Sequence, residues 1–514
     1  MTFARRWDDA VRAHGDRTFL VFEGPDGSVS QWSYRTFDRI VARMNVTLAA
    51  AGVTHGSAVH VVLRNCPAFI AIWLACARSG ACLIPVDPTS SARDISRQID
   101  RVRPAVGVCA ASRADVYAAG VRESAGGAGR LATIELTETD ADVQPAPGAP
   151  HPADGGPRPA VTPADRLAVM FTSGTTSEPK GVVLTQHNYA HVADAMSAVV
   201  GLRPEDRWLV TLPFFHANAQ YYCFAPAIAA GASVALTSAF SASQWLRQAH
   251  DLAATHASLF AAPIRMILAR RPDDVPPVRL RHVWFAQNLG RQHYDEFSAL
   301  AGCRPRQLYG MTETVAIVCA DVSEPYRNDT IGPPVAGRAV VLTDPETGAE
   351  ALPGQPGELV LGGVPGEDLF LEYLDDPAAT VRSLVRGDGA TWFHTGDVVQ
   401  GTGDGALRFV GRRDDVIKVS GENVSLTEVE AILAQAPGVL ECAVLGQPDP
   451  VRDTVPVAYV VPRDPGHPPV TAELAEWARH NLAAAARPRD WHLIDALPRT
   501  SVGKVRRFKL GGTV

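Results

Sequence analysis

The segment FTSGTTSEPKGVVLTQHN, Phe171–Asn188, gathers Thr172, Ser173, Thr175, Thr176 and Ser177 around Gly174 and then reaches Lys180 and Gly181. Hydroxyls and free backbone amides beside a glycine, with a lysine at the end, are the means by which a loop holds phosphate oxygens. A Walker A loop is excluded. Pro179 stands before the lysine, and Gly181 occupies the place of the magnesium-binding hydroxyl. A polar linker has a similar composition, but RLAVMF before the segment and KGVVLT within it are strand-like, which places the loop between two ordered elements.

Other clusters carry groups suited to the same chemistry. YGMTET (Tyr309–Thr314) holds Thr312 and Glu313, and a carboxylate is the natural ligand for a hard cation that also binds phosphate. WFHTGD ends on Asp397, GRRDD contains Arg412 and Asp414, LPRTSVGKVRR contains Lys504, and PFFHANAQ contains His216. Taken singly, each has a plainer explanation. Glu313 suits a helix start, Gly396-Asp397 a turn, Lys504 a basic tail with Arg506, Arg507 and Lys509, and His216 a core histidine.

Taken together, FTSGTTSEPKG, YGMTET, WFHTGD, GRRDDVIKVSGENVSLTEVE (Gly411–Glu430) and LPRTSVGKVRR (Leu497–Arg507) resemble, in order and spacing, the motifs of the adenylate-forming superfamily. That superfamily comprises acyl-CoA synthetases, carrier-protein adenylation domains and luciferases. The resemblance implies an α/β fold: a large N-terminal domain of helix-covered sheets with a small β-rich unit, then a small mobile α+β C-terminal domain. It implies an N-terminal AMP-binding domain over 1–411 and a mobile domain over 412–514. It also implies roles. Thr172, Ser173, Gly174, Thr175, Thr176 and Lys180 cradle phosphates, and Thr312 and Glu313 meet the α-phosphate and Mg2+. Tyr309, Asp397 and Arg412 hold the nucleoside, Asp414 is the hinge, Lys504 is the catalytic lysine, and His216 gates the thiol tunnel. Many relatives carry Gly-Gly-Ala before YGMTE, whereas here the segment is WFAQNLG (Trp284–Gly290). Gln287 and Asn288 then become the adenine neighbours, and Phe285 is expected to shorten the acid pocket if its ring points inward, with bulk from YYCF (Tyr221–Phe224) nearby.

The implied activity is an ATP-dependent acid–thiol ligase for a small or short-chain acid, with coenzyme A or the phosphopantetheine of an acyl carrier protein as acceptor. FHANAQ, AAPIRMILARRP and FAQNLGRQHYDEF look most like crotonobetaine-type short-acid ligases. The alternative within the same fold is a diazotase that activates nitrite for attack by an arylamine.

The elements that must position these residues are legible around them. Tyr34–Gly52 has helical spacing after a cap at Ser33, and Ser57–Leu63 reads as a strand. Pro67–Gly80 reads as a helix and Ala81–Val86 as a strand, so the first third is a βαβ series that implies a largely parallel sheet. Val210–His216 and Ala232–Thr237 read as buried strands. Gln144–Asp165 is dense in Pro, Gly and Ala and reads as a mobile loop. GELVLGG and GALRFVG suggest a β-rich unit. LECAVLGQ and VPVAYVV read as strands, with helices capped at Ser425 (a capping box with Glu428) and at Thr471.

The 514 residues predict two to four domains. With 46% hydrophobic and 20% charged residues, the composition is that of a soluble globular protein, and a net charge of −7 argues against nucleic acid as main partner. The N-terminus lacks the apolar run of a signal peptide. The most apolar stretch, Ala68–Val86, is interrupted by Arg78-Ser79-Gly80, which predicts a buried helix and strand and no membrane span. Eight scattered cysteines predict buried reduced thiols in a cytoplasmic protein and no zinc site.

Overall fold

The computed structural model describes residues 1–125, 131–138, 159–172, 179–272, 274, 276–322, 324, 326–387, 389–419, 422–449, 453–499 and 505–510. Most of the Pro/Gly/Ala-rich segment therefore lies outside the described residues, as do Ser173, Gly174, Thr175, Thr176 and Lys504.

The βαβ reading of the first third holds. The helix Tyr34–Ala50 starts at Ser33, whose hydroxyl accepts from the Thr36 N–H. The helix Pro67–Ser79 is buried along almost its whole length and stops at Gly80, which adopts a left-handed φ of 70°. The strands Ala58–Val62, Cys82–Val86 and Val106–Ala110 run parallel. They belong to a seven-stranded sheet that also contains Arg166–Thr172 and Lys180–Thr185. These last two pair antiparallel with Thr172 opposite Lys180, so the residues on either side of 173–179 meet at one sheet position.

A second, eight-stranded sheet is built around parallel strands Arg207–Val210, Ser233–Thr237, His256–Phe260, His282–Ala286 and Arg306–Tyr309. Its largest apolar cluster is shared with the first sheet and centres on Phe3, Trp7, Trp73, Tyr189 and Phe214. A five-stranded β unit follows, with Pro356–Gly363, Ala390–Gly401 and Leu407–Arg412 as its antiparallel strands nearest the site.

The next strand, Val416–Val419, joins a different sheet with Glu422–Ser425, Asp453–Pro462, Val439–Asp449 and Asp490–Leu493. The helices Leu426–Leu433 and Thr471–Asn481 pack on it through Val429, Leu433, Leu474 and Ala478. The chain passes between the two units through the short 3-10 turn Arg413–Asp415, which contains Asp414.

Three local expectations are corrected. The strand read over Val210–His216 is Arg207–Val210 and ends there. Pro213 lies just beyond, and a π-helix, Asn218–Phe224, follows. The C-terminal helix is preceded by Val470 at the N-cap with no side-chain cap, and Thr471 is its first turn. Phe285 is fully buried among Tyr294, Phe297 and Trp245. Alternation along the strand turns its ring away from the cluster to which Trp284 and Ala286 belong. Phe285 is a core residue, and Ala286 is its site-side neighbour.

No helix among the described residues is long and apolar enough to cross a membrane. Seven of the eight cysteines are buried. Burial pushes the Cys82 thiol up to about 12, which keeps it protonated and inert.

Candidate active site

The C-terminal ends of parallel strands are where an open α/β sheet places its ligands. Here Phe260, Ala286 and Tyr309 end three neighbouring strands, with Phe260 opposite Ala286 in register. Gln287 and Asn288 follow Ala286 on the exposed surface. Gln287 adopts φ 77°, and its carbonyl accepts from the buried Gln307 amide at 3.1 Å. A residue with a side chain rarely takes that conformation, so the backbone there is held in place by its surroundings.

Tyr309 leads into the YGMTET turn. Its hydroxyl donates to Asp397 at 2.6 Å, and Arg412 Nη1 approaches the other carboxylate oxygen at 3.0 Å. Asp397 is 5% exposed, so its charge is held inside by a phenol and a guanidinium. Burial first, and then the charge of Asp397, drive the Tyr309 ionisation well above its ordinary range and keep it a donor.

Local sequence explains why Asp397 sits there. Gly396 takes φ 71°, and an added Cβ would lie 3.3 Å from the Arg412 guanidinium. The Gly396 N–H donates to buried Glu358 at 3.0 Å, and Thr395 Oγ1 accepts from the Asp397 N–H at 3.1 Å.

Glu313 is 6% exposed and accepts from the Tyr373 hydroxyl at 3.1 Å. Lys180 Nζ lies 4.8 Å from the centre of the same Tyr373 ring. One tyrosine thus links Lys180 to the carboxylate of the YGMTET turn. Thr312, beside Glu313, is also buried. Among the charges acting on Arg412, after the burial that opposes it, are Asp397, Tyr309 and Glu313, so the two halves form one electrostatic unit.

His216 is half-buried. Its Nδ1 accepts from the Asn218 N–H at 3.3 Å, and its ring meets Phe260 edge-on at 6.2 Å. It therefore stands at the end of the parallel strands, beside the π-helix. Thr172 ends its strand opposite Lys180, with its hydroxyl 3.5 Å from the Lys180 carbonyl.

Two positioning arginines carry no signal in the sequence. Arg338 is buried, and its guanidinium donates to the carbonyls of Thr314 (2.6 Å), Ala316 (2.9 Å), Ile317 (3.2 Å) and Asp368 (3.0 Å). It fixes the far side of the YGMTET turn, where Val315 takes φ 62°. Arg101 donates to the carbonyls of Pro179 (2.7 Å) and Leu374 (3.0 Å), bracing the residues beside Lys180 and Tyr373. Each is visible as a clamp only once its distant partners are assembled.

The residues flanking Lys504 are ordered by the small unit itself. Arg499 and Val505 form an antiparallel bridge, and Arg499 is paired with Glu441. Arg507 reaches Glu430 (2.8 Å) and Asp415 (2.8 Å).

Comparison with known proteins agrees with this geometry. The family described as "AMP-binding enzyme" matches residues 7–374, and "AMP-binding enzyme C-terminal domain" matches residues 428–504. The chain belongs to the AMP-binding, adenylate-forming family and is an ATP-dependent adenylate-forming ligase. It is 30% identical over 524 aligned residues to the crotonobetaine/carnitine–CoA ligase of Salmonella agona (strain SL483), covering 98% of each chain. Its fold is similar to the anthranilate CoA ligase AuaEII in complex with anthranoyl-AMP (TM-score 0.85, 22% identity, 99% and 96% of the two chains). It is also similar to a benzoate CoA ligase from Burkholderia xenovorans LB400 (TM-score 0.83, 22% identity, 99% of each chain).

Proposed function

We propose that this protein is an acid–coenzyme A ligase acting on a small carboxylic acid. A carboxylate resists attack because oxide would have to leave. Transfer of AMP from ATP to the acid, with loss of diphosphate, gives an acyl-adenylate from which AMP leaves when a thiol attacks. The protein must then neutralise phosphate charge, align two anions and exclude water.

The observation that carries this reading is the joined unit Tyr309–Asp397–Arg412 and Lys180–Tyr373–Glu313 at the strand ends. In it, Asp397 receives the ribose hydroxyls with Arg412 beside it. Lys180 and the loop residues Thr172, Ser173, Gly174, Thr175 and Thr176 hold phosphate oxygens. Gln287 and Asn288 face the adenine.

Mg2+ fits this site because Glu313, a buried carboxylate beside the phosphate-binding residues, would hold it. When bound, it neutralises phosphate charge. Thr312 and Glu313 orient the α-phosphate, and Lys504 bridges it to the acid. His216 stands between the acid and the thiol. The boundary falls at 411/412, and rotation at Asp414 exchanges the small domain between the two half-reactions. The change of sheet across Arg413–Asp415 supports that placement.

The 30% identical relatives, named as coenzyme A ligases for crotonobetaine and carnitine, support coenzyme A as acceptor and a small acid as substrate. The test is AMP and diphosphate release from a panel of acids, and from nitrite, each with and without coenzyme A. Acid-dependent AMP that rises with coenzyme A is expected. AMP formed only with a carrier protein changes the acceptor. Nitrite-dependent AMP that needs an arylamine replaces the reading with the diazotase.

A further inference from the structure

Tyr373 touches both halves of the joined unit and lies in none of the motifs that supply the other members. It ends the two-residue strand Glu372–Tyr373, which pairs antiparallel with Lys180–Thr185 at the edge of the first sheet. The main chain around it is tied to both partners. The Leu374 N–H donates to the carbonyl of Gly181, next to Lys180, at 2.7 Å, and the Phe370 N–H donates to the Glu313 carbonyl at 2.9 Å. The Tyr373 N–H donates to Thr380 Oγ1 at 2.9 Å, which anchors it to the helix Pro377–Ser383. Tyr373 is therefore fixed relative to both Lys180 and Glu313 by hydrogen bonds that need no ligand.

Its side chain serves one charge with the ring and the other with the hydroxyl. The ring faces the Lys180 ammonium at 4.8 Å, and the hydroxyl donates to Glu313 Oε1 at 3.1 Å. Packing accounts for the ring alone. Tyr373 is 5% exposed and its ring centre lies 4.7 Å from that of Phe370, a contact that phenylalanine would make as well. A hydroxyl at that depth needs a partner. Here the partner is a carboxylate, which makes the bond charge-assisted. Burial first, and then the charge of Glu313, push the phenol ionisation well above its ordinary range and keep it a donor.

We infer that Tyr373 is a positioning residue for adenylation: its hydroxyl orients the Glu313 carboxylate for the divalent cation, and its ring holds the Lys180 ammonium for the phosphates. The inference rests on the reading of Glu313 as the Mg2+ carboxylate and of Lys180 as a phosphate ligand. A hydrogen bond to one oxygen fixes the plane of a carboxylate. Removing such a partner from behind a metal ligand lowers metal affinity by about 10- to 100-fold. A cation held on an aromatic face is worth less, about two- to fivefold in an equilibrium constant. The two contacts of one side chain therefore have separate and unequal readouts.

The experiment uses the full chain with ATP and no acid, so that binding is read without turnover. Calorimetry in EDTA gives the metal-free ATP affinity. Mn2+, a paramagnetic substitute for Mg2+, is then titrated into the ATP complex and followed by electron paramagnetic resonance. Tyr373→Phe keeps the ring and removes the hydroxyl. It should weaken Mn2+ binding by about 10- to 100-fold and leave metal-free ATP binding within about twofold of the parent. Tyr373→Met removes both contacts and should also weaken metal-free ATP binding by about two- to fivefold. It serves the metal measurement if the phenylalanine variant does not fold. Added to Glu313→Gln, Tyr373→Phe should change Mn2+ affinity by less than about twofold, because its effect runs through that carboxylate. Parent-like Mn2+ affinity in Tyr373→Phe overturns the inference. Equal weakening of metal-free ATP and of Mn2+ overturns it too, as the mark of a residue that only holds shape. If Glu313→Gln by itself leaves Mn2+ binding unchanged, the reading of Glu313 as the metal carboxylate falls and takes the inference with it. That single variant keeps the two failures distinct.

Discussion

The two sides of the proposed active site are built differently. On the large domain, Asp397 and Glu313 are 5% and 6% exposed, and each has a tyrosine hydroxyl donating to it. The turn between them is tied down by Arg338 through four carbonyls. On the small domain, the strongest pairings are internal, such as Arg507 with Glu430 and Asp415. Its contacts to the large domain include polar pairs. Lys418 meets Glu346 at 2.9 Å with both side chains exposed, and Arg463 meets His293 at 3.3 Å. Arg265 is buried opposite Glu441, and its guanidinium is lowered to about 10, chiefly by that burial. An exposed pair such as Lys418–Glu346 contributes little. The groups proposed to serve every step are thus fixed within the large domain, and the domain proposed to serve steps in turn meets it partly through exposed polar pairs.

Variants can break this contrast. The largest effect is expected from Lys504→Ala, which removes a charge from the developing anionic centre and should slow adenylation by about 10² to 10³. Thioester formation from chemically made acyl-adenylate should survive. Equal loss in both half-reactions would show that the lysine is not step-specific. Next, Asp414→Pro should leave adenylation near the parent rate and stop thiol transfer, because proline fixes φ where the turn must change it. Parent-rate thioester synthesis would move the hinge elsewhere.

Arg338→Met tests the fixed side. Four carbonyls lose their donor, so stability should fall by about 2–3 kcal/mol in denaturant unfolding, with both half-reactions reduced together. A step-specific loss would undo the idea that this wall serves both. The smallest effect is expected from Phe285→Leu. It should lower stability by about 1 kcal/mol and leave the chain-length profile of AMP release unchanged. A shift toward longer acids would return Phe285 to the pocket.

Phe285 also marks where the sequence stopped being informative. The motifs identified the family and named Glu313, Asp397 and Arg412, and the strand-like run KGVVLT placed Lys180 on a strand. Alternation in RHVWFAQ gave two faces but not which face bordered the site, because both sides of that sheet are covered by apolar layers. Arg338 and Arg101 were illegible for a different reason. Their partners are backbone carbonyls, which every residue possesses, so no side-chain pattern announces them. The strand was carried too far because VTLPFFH is apolar enough to read as strand throughout, whereas it ends at Val210, before Pro213.

The buried carboxylates have a consequence for the order in which the chain is made. Glu313 receives its hydroxyl from Tyr373, Asp397 its guanidinium from Arg412, and the turn its clamp partly through Asp368. Each partner is translated after the group it neutralises or alongside the end of the large domain. A nascent chain that has emerged only as far as Thr314 still lacks the edge strand Glu372–Tyr373 of its first sheet and carries an acid whose partner is unmade. Nucleotide binding should therefore emerge abruptly, and late, as the residues through Arg412 clear the ribosome.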